Sequence, residues 1–216
     1  MKKTSGRSTR INVGSIGRKM IRRIVRHVFS NPTLLNIARN ILENDFIVPQ
    51  RIVSKELDKN KKTMDIGCGT GEHSVMFNPE NYFGVDISKE YIANAKKRFK
   101  GNFFVMDGQD IKFPDKSFDN VLILGILHHL DDKTAENILK EAKRLAKGNA
   151  STLVMEDIPA KSRLNFIGSL AHYLDAGTNI RKTEGYKALI SKHFKIKKQF
   201  ETRSGVCDYC VFVLQK

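Results

Sequence analysis

The sequence predicts an α/β fold, a doubly wound and mostly parallel sheet spanning residues 61–216 behind an N-terminal helical extension. Three observations carry this. From Lys62 onward, short apolar runs of strand character alternate with helical periods, the order that builds a parallel sheet covered by helices. The first run, Thr63-Met64-Asp65-Ile66, enters Gly67-Cys68-Gly69-Thr70-Gly71, an acid followed by three alternating glycines. The second, Tyr82-Phe83-Gly84-Val85-Asp86-Ile87, ends in an acid 19 residues after Gly67.

Glycine suits a strand-to-helix turn against which a ligand lies, because it tolerates positive φ and has no Cβ. An acid at the tip of the second strand is placed to accept hydrogen bonds from both ribose hydroxyls. Nicotinamide and flavin enzymes use the same device, so spacing must discriminate. Their fingerprint is G-x-G-x-x-G, which shelters a pyrophosphate at a helix N-terminus. This chain has Gly67-x-Gly69-x-Gly71 with Asp65 two residues ahead. That turn resembles motif I of the class I S-adenosylmethionine (SAM) methyltransferases. SAM carries a sulfonium, an ammonium and a carboxylate but no phosphate, so an acid beside the turn is useful there.

The elements follow in order. Residues 1–15 offer little to bury. Ile16, Met20, Ile21, Ile24, Val25, Val28 and Phe29 line one helical face, and Arg18, Lys19, Arg22, Arg23 and Arg26 cover the rest. Such a basic amphipathic helix either packs on the body as a lid, lies on an anionic membrane surface, or reaches a nucleic acid. The arm also has the Arg- and Ser-rich, acid-free character of a mitochondrial targeting peptide. Ser30-Asn31-Pro32 breaks the helix, a second runs through Leu34 to Leu42, and a third, Gln50 to Leu57, leads into strand one. Residues 1–60 are therefore read as a basic arm and helical cap.

After Gly71 a short helix is stopped by Asn78-Pro79, and its N-terminus faces the ligand's carboxylate. Ser88 caps the next helix through Tyr91, Ile92, Ala95 and Phe99. Phe103 to Asp107 is strand three. Phe113-Pro114-Asp115-Lys116-Ser117-Phe118-Asp119 leads into strand four, Asn120 to Leu124, which delivers Gly125-Ile126-Leu127-His128-His129-Leu130 to the ligand edge. Asp131 or Asp132 caps a helix closed by Lys147-Gly148. Thr152 to Glu156 is strand five, ended by Pro159, with Glu156 and Asp157 at the active edge. Residues 160–180 read as a substrate cover containing Asp175, with Arg181 at its end; neither is assigned a role. Glu184 to Phe194 is helical, and Phe194–Thr202 with Asp208–Leu214 forms a closing antiparallel pair.

The Phe113–Asp119 link resembles that of the methyltransferases acting on small molecules and lipids, including those of quinone biosynthesis. The resemblance covers residues 60–216 and implies the Rossmann-like, seven-stranded sheet with a C-terminal antiparallel hairpin. It implies SAM as cofactor, held by Asp65, Gly67, Cys68, Gly69, Gly71, Asp86, Ile87, Asp107 and Gly108. Asp107 would bond the adenine amino group, and the Gly108 N–H would contact the ring.

Methyl transfer needs nucleophile and methyl carbon held in line, and a proton acceptor only when the nucleophile must lose a proton. No catalytic residue is therefore assigned. His128, His129 and Asp157 are candidates, each with a packing or loop role as the alternative. The expected activity is methyl transfer to a small-molecule or lipid-like acceptor. An RNA methyltransferase using the basic arm, a SAM-binding protein without catalysis, and a nicotinamide enzyme are the alternatives. No Asn/Asp-Pro-Pro-aromatic motif follows strand four, which speaks against base amino-methylation.

Composition sets bounds. At 216 residues with 40% hydrophobic content, the chain can bury a full core. It has no apolar run of 18 residues or more. Of the net charge of +15, residues 1–42 supply ten basic residues and no acid, leaving +5 for the remainder. The three cysteines, Cys68, Cys207 and Cys210, are read as thiols in a cytoplasmic protein, or one peripheral to a membrane. Cys207-x-x-Cys210 lacks a second pair to complete a metal site.

Overall fold

In the computed structural model, the structure describes residues 47–160 and 179–216. The helices expected over residues 16–29 and 34–42, and Asp175, lie outside these residues.

Among the described residues there are seven strands: β1 (Thr63–Ile66), β2 (Tyr82–Asp86), β3 (Asn102–Val105), β4 (Phe118–Leu124), β5 (Ala146–Asp157), β6 (Lys195–Ser204) and β7 (Cys207–Gln215). They form one sheet in the order β3-β2-β1-β4-β5-β7-β6. The first five are parallel, and β7 runs antiparallel between β5 and β6. The chain thus leaves β1 toward β2 and β3, then returns to build the other half from β4. The crevice between β1 and β4 is where ligands of such sheets bind, at the carboxyl ends of the strands.

Among the described residues, four helices accompany the sheet: α1 (Ile47–Glu56), α2 (Lys89–Arg98), α3 (Asp132–Leu145) and α4 (Thr183–Ile190). Two of the N-caps have a local cause. The Ser88 hydroxyl accepts from the Tyr91 N–H to start α2, and Asp131 accepts from the Thr134 N–H to start α3. Glu90 in the first turn and Lys96, Lys97 and Arg98 in the last complement the dipole of α2.

Strand alternation divides the core between two faces. Met64 and Ile66 of β1 join Ile123, Ile138, Leu139 and Phe212 on one side. Tyr82, Leu122, Leu153 and Val211 meet α1 through Ile52 and Val53 on the other. Helix α1 precedes residue 61 in the chain and still packs on the sheet. Cys210 falls on the first face and Cys207 on the second, both buried as free thiols. Three residues apart on a strand, they point away from each other, so the pair can neither bridge nor chelate.

The link into β4 is held by an aromatic cluster and one cation. Phe113 packs edge-on against Phe83, Phe104 and Phe118 at 5.5–5.7 Å between ring centres. The Lys62 ammonium sits 4.9 Å from the Phe83 and Phe118 ring centres. The Arg144 guanidinium donates to the carbonyls of Ile111 and Phe113 and to Glu141 and Asp115.

Several boundaries differ from expectation. Lys147-Gly148 does not close α3: the helix ends at Leu145, and β5 begins at Ala146, opposite Phe118. A register shift between Phe118 and Asn120 accommodates this early start, and both Asp119 oxygens hold the Lys147 ammonium at 2.9 Å. Strand β3 ends at Val105, so Asp107 lies in the following loop. The element after Gly71 is a five-residue 3₁₀ turn, Glu72–Met76, too short for much dipole, and the N–H groups of Gly67, Cys68 and Gly71 are already bonded to the Val85 and Cys68 carbonyls.

Strand β6 is one of the two edges of the sheet among the described residues, the other being β3, and Lys195, Lys197 and Lys198 on β6 are exposed. Its register with β7 shifts between Ile196 and Lys198.

Candidate active site

The glycine turn is shaped by left-handed backbone at Gly67, Gly69 and Gly71, with φ of 75°, 55° and 85°. The reasons for glycine differ along it. A Cβ at Gly67 would lie 2.4 Å from Cγ2 of Ile126, so the β4 turn presses on it. A Cβ at Gly69 would meet nothing within 4 Å. Gly69 therefore presents bare backbone to open space, the cradle a cofactor would fill.

Asp86 stands beneath that cradle. Its Oδ2 accepts from the Gly69 N–H at 3.0 Å and its Oδ1 from the Ser88 N–H at 2.8 Å. Burial raises its pKa, and these N–H bonds pull it back. The two carboxylate oxygens offer about four lone-pair sites, which these backbone donors do not fill. Beside it, Ile87 is 72% exposed and Val105 44%, two apolar side chains left open at the tips of β2 and β3. Asp107 is exposed, and its Oδ1 accepts from the Gln109 N–H at 2.9 Å, which folds the loop into an Asx turn. A Cβ on Gly108 would stand 3.0 Å from Cγ2 of Ile66.

Asp65 is placed differently from the others. Its carboxyl is buried under the turn, where the Tyr82 hydroxyl donates to Oδ2 at 2.6 Å. Burial raises its pKa to about 7; the Tyr82 bond lowers it and Asp86 adds to the rise. Cys68 is also buried, with its thiol pKa pushed up by burial and by Asp65 and Asp86. It packs against Gly84, where a Cβ would come within 2.7 Å of the sulfur, and it is not a nucleophile. Glu72 completes an acidic ring around the turn, receiving Thr70 and Arg98.

Across the crevice, His128 and Asp157 come together, and His129 lies against the His128 ring on the exposed side. The His128 ring is buried, with Nδ1 3.0 Å from Oε2 of Glu156 and 3.6 Å from Oδ2 of Asp157. His129 is exposed, its ring centre 4.0 Å from that of His128. Glu156, left without a role above, organises this side: it accepts from the N–H groups of Ile126, Leu127 and His128. Arg181 is a strap. It donates to the carbonyls of Leu127, Leu130 and Asn179 and to Asp132, and the Asn179 N–H donates to the His128 carbonyl. Tyr82, Glu156 and Arg181 carried no sequence signal, since their partners lie 17, 28–30 and up to 54 residues away. Among the described residues, no group of three or more His, Cys, Asp or Glu could hold a metal ion.

Sheet order, reversed seventh strand and glycine turn define the class: the chain has the Rossmann-like fold of the class I SAM-dependent methyltransferases. Residues 63–149 match the methyltransferase domain family Methyltransf_25. Curated relatives include an uncharacterised protein of Methanocaldococcus jannaschii, 36% identical over 102 residues, covering 47% of this chain and 39% of that one. Another is the demethylmenaquinone methyltransferase of Thermotoga maritima, 27% identical over 127 residues, covering 56% and 54%. The chain thus spans about half or less of these relatives. A solved SAM-dependent methyltransferase from Aquifex aeolicus superposes with a TM-score of 0.65 at 16% identity, covering 86% of this chain and 97% of that one. No helix among the described residues is long and apolar enough to cross a membrane.

Proposed function

We propose that the protein transfers the methyl group of SAM to a small-molecule or lipid-like acceptor. The observation that carries this reading is the Gly69–Asp86 junction, where open glycine backbone lies over a carboxylate with lone pairs to spare. Asp65 and Glu72 surround the same turn. Such a ring suits a ligand with a sulfonium and an ammonium and opposes a pyrophosphate, which argues for SAM over a dinucleotide. Asp86 would hold the ribose diol, and Ile87, Asp107 and Gly108 would border the adenine. Gly67, Cys68, Gly69 and Gly71 would shape the cradle, with Asp65 acting through its charge from beneath. The sulfonium supplies an electrophilic methyl carbon, so the protein's part is alignment and exclusion of water.

The reading is tested with SAM carrying a labelled methyl group, incubated with the protein and a host extract divided into lipid, small-molecule, RNA and protein fractions. Label in the lipid or small-molecule fraction is expected. Label in RNA would replace this reading with that of an RNA methyltransferase served by the basic arm. SAM binding without label in any fraction would favour a binding protein, and displacement of SAM by NAD would overturn the cofactor assignment.

A further inference from the structure

Four donors converge on one carboxylate at the tip of β5. Glu156 is fully buried. Its Oε1 accepts from the N–H groups of Ile126 at 3.2 Å and Leu127 at 3.0 Å. Its Oε2 accepts from the N–H of His128 at 3.2 Å and lies 3.0 Å from Nδ1 of the same residue. Two carboxylate oxygens offer about four lone-pair sites. Three are filled by backbone N–H groups that open the 3₁₀ turn Leu127–His129, the orphan donors of a helical start. The fourth faces Nδ1, so that nitrogen must be the donor. Oδ2 of Asp157, 3.6 Å from Nδ1, is a second acceptor on the same side of the ring.

We propose that Glu156 is a positioning residue. It clamps the Ile126–His128 turn at the carboxyl edge of the sheet and places the His128 proton on Nδ1, which leaves a lone pair on Nε2. Which ring nitrogen carries the proton is decided by the bond the other makes. A donor placed against Nε2 therefore finds an acceptor there.

The test is nitrogen NMR on protein labelled at histidine with ¹⁵N, at pH 8. The His128 signals are those missing from His128→Asn. The expected pattern is a protonated Nδ1 and a bare Nε2. In Glu156→Gln, the carboxamide can turn its NH₂ toward Nδ1, and the proton is expected to move to Nε2. A wild-type ring protonated on Nε2, or on both nitrogens, would overturn the proposal, as would an unchanged tautomer in Glu156→Gln. Should the variant fail to fold, the wild-type spectrum alone decides. SAM binding, read in the same samples by calorimetry, judges the cofactor assignment separately, because the tautomer is measured with no ligand present.

Discussion

Tyr82 reaches diagonally across the β1–β2 ladder and donates its hydroxyl to Asp65 in a buried setting. The residue directly opposite Asp65 is Gly84, whose missing side chain makes room for the Cys68 sulfur. The pair is a charge stored under the glycine turn, and its protonation follows pH near neutrality.

The Asp65 pKa stands at about 7 in the folded chain against 3.8 for an ordinary aspartate. Between those values the folded form keeps a proton that the unfolded chain has released. Stability from this group therefore falls as pH rises from 4 through 7, by on the order of 4 kcal/mol as a ceiling. Asp65→Asn, which still accepts from Tyr82, should be near neutral in urea unfolding at pH 4 and stabilising at pH 8. A positive ligand above Asp65 favours its ionised form. SAM should thus bind up to about tenfold tighter at pH 8 than at pH 6 in the wild type. Asp65→Asn should show little change, and equal pH dependence in both proteins would remove Asp65 from the cofactor's field.

Gly67 and Gly69 should separate structure from binding. Alanine at Gly67 puts a Cβ into Ile126 on left-handed backbone, and should cost about 2 kcal/mol or more in thermal unfolding. Alanine at Gly69 meets no protein atom and should cost about 1 kcal/mol of backbone strain. Its methyl group enters the cradle, so SAM affinity should drop more than tenfold by calorimetry. Unchanged affinity would move the cofactor away from this residue.

Asp86→Ala removes the acceptor for the Gly69 N–H together with the carboxylate offered to the ribose. SAM affinity should weaken by more than an order of magnitude, the scale of a charged two-point contact. An affinity within twofold of wild type would place the ribose elsewhere.

Arg181→Lys keeps the charge and loses the fork. One ammonium cannot reach the carbonyls of Leu127 and Leu130 and the Asp132 carboxylate together. A loss of about 2 kcal/mol is expected in urea unfolding. Stability equal to wild type would show that the strap contributes little.

What could be read from the sequence was whatever the backbone itself demands. Gly67, Gly69 and Gly71 are needed by left-handed φ, and Asp86 by its place at a strand tip, so both left local marks. Ser88 and Asp131 announced their helices for the same reason. The Phe113–Asp119 link was visible as a family string, yet its cause was not: Phe83, Phe104 and Arg144 come from three other segments. Asp65 was expected to serve the cofactor, but nothing local foretold its burial against Tyr82. Glu156 and Arg181 act through contacts that only the sheet order creates. Lys147-Gly148 misled because a Lys-Gly pair usually ends a helix, whereas here it already belongs to β5.

The outer side of β6 has a consequence for the crowded solution in which the chain folds. An unpaired strand is a template on which another molecule can stack, and a sheet open at one side invites fibres. Lys195 and Lys197 place like charges on any second copy that tries to add there, and the register shift beside them bends the edge away from a flat fit. Replacing Lys195 and Lys197 with threonine would remove this guard and leave the Lys198–Glu56 ion pair in place. The protein should then form aggregates at concentrations where the wild type scatters no light.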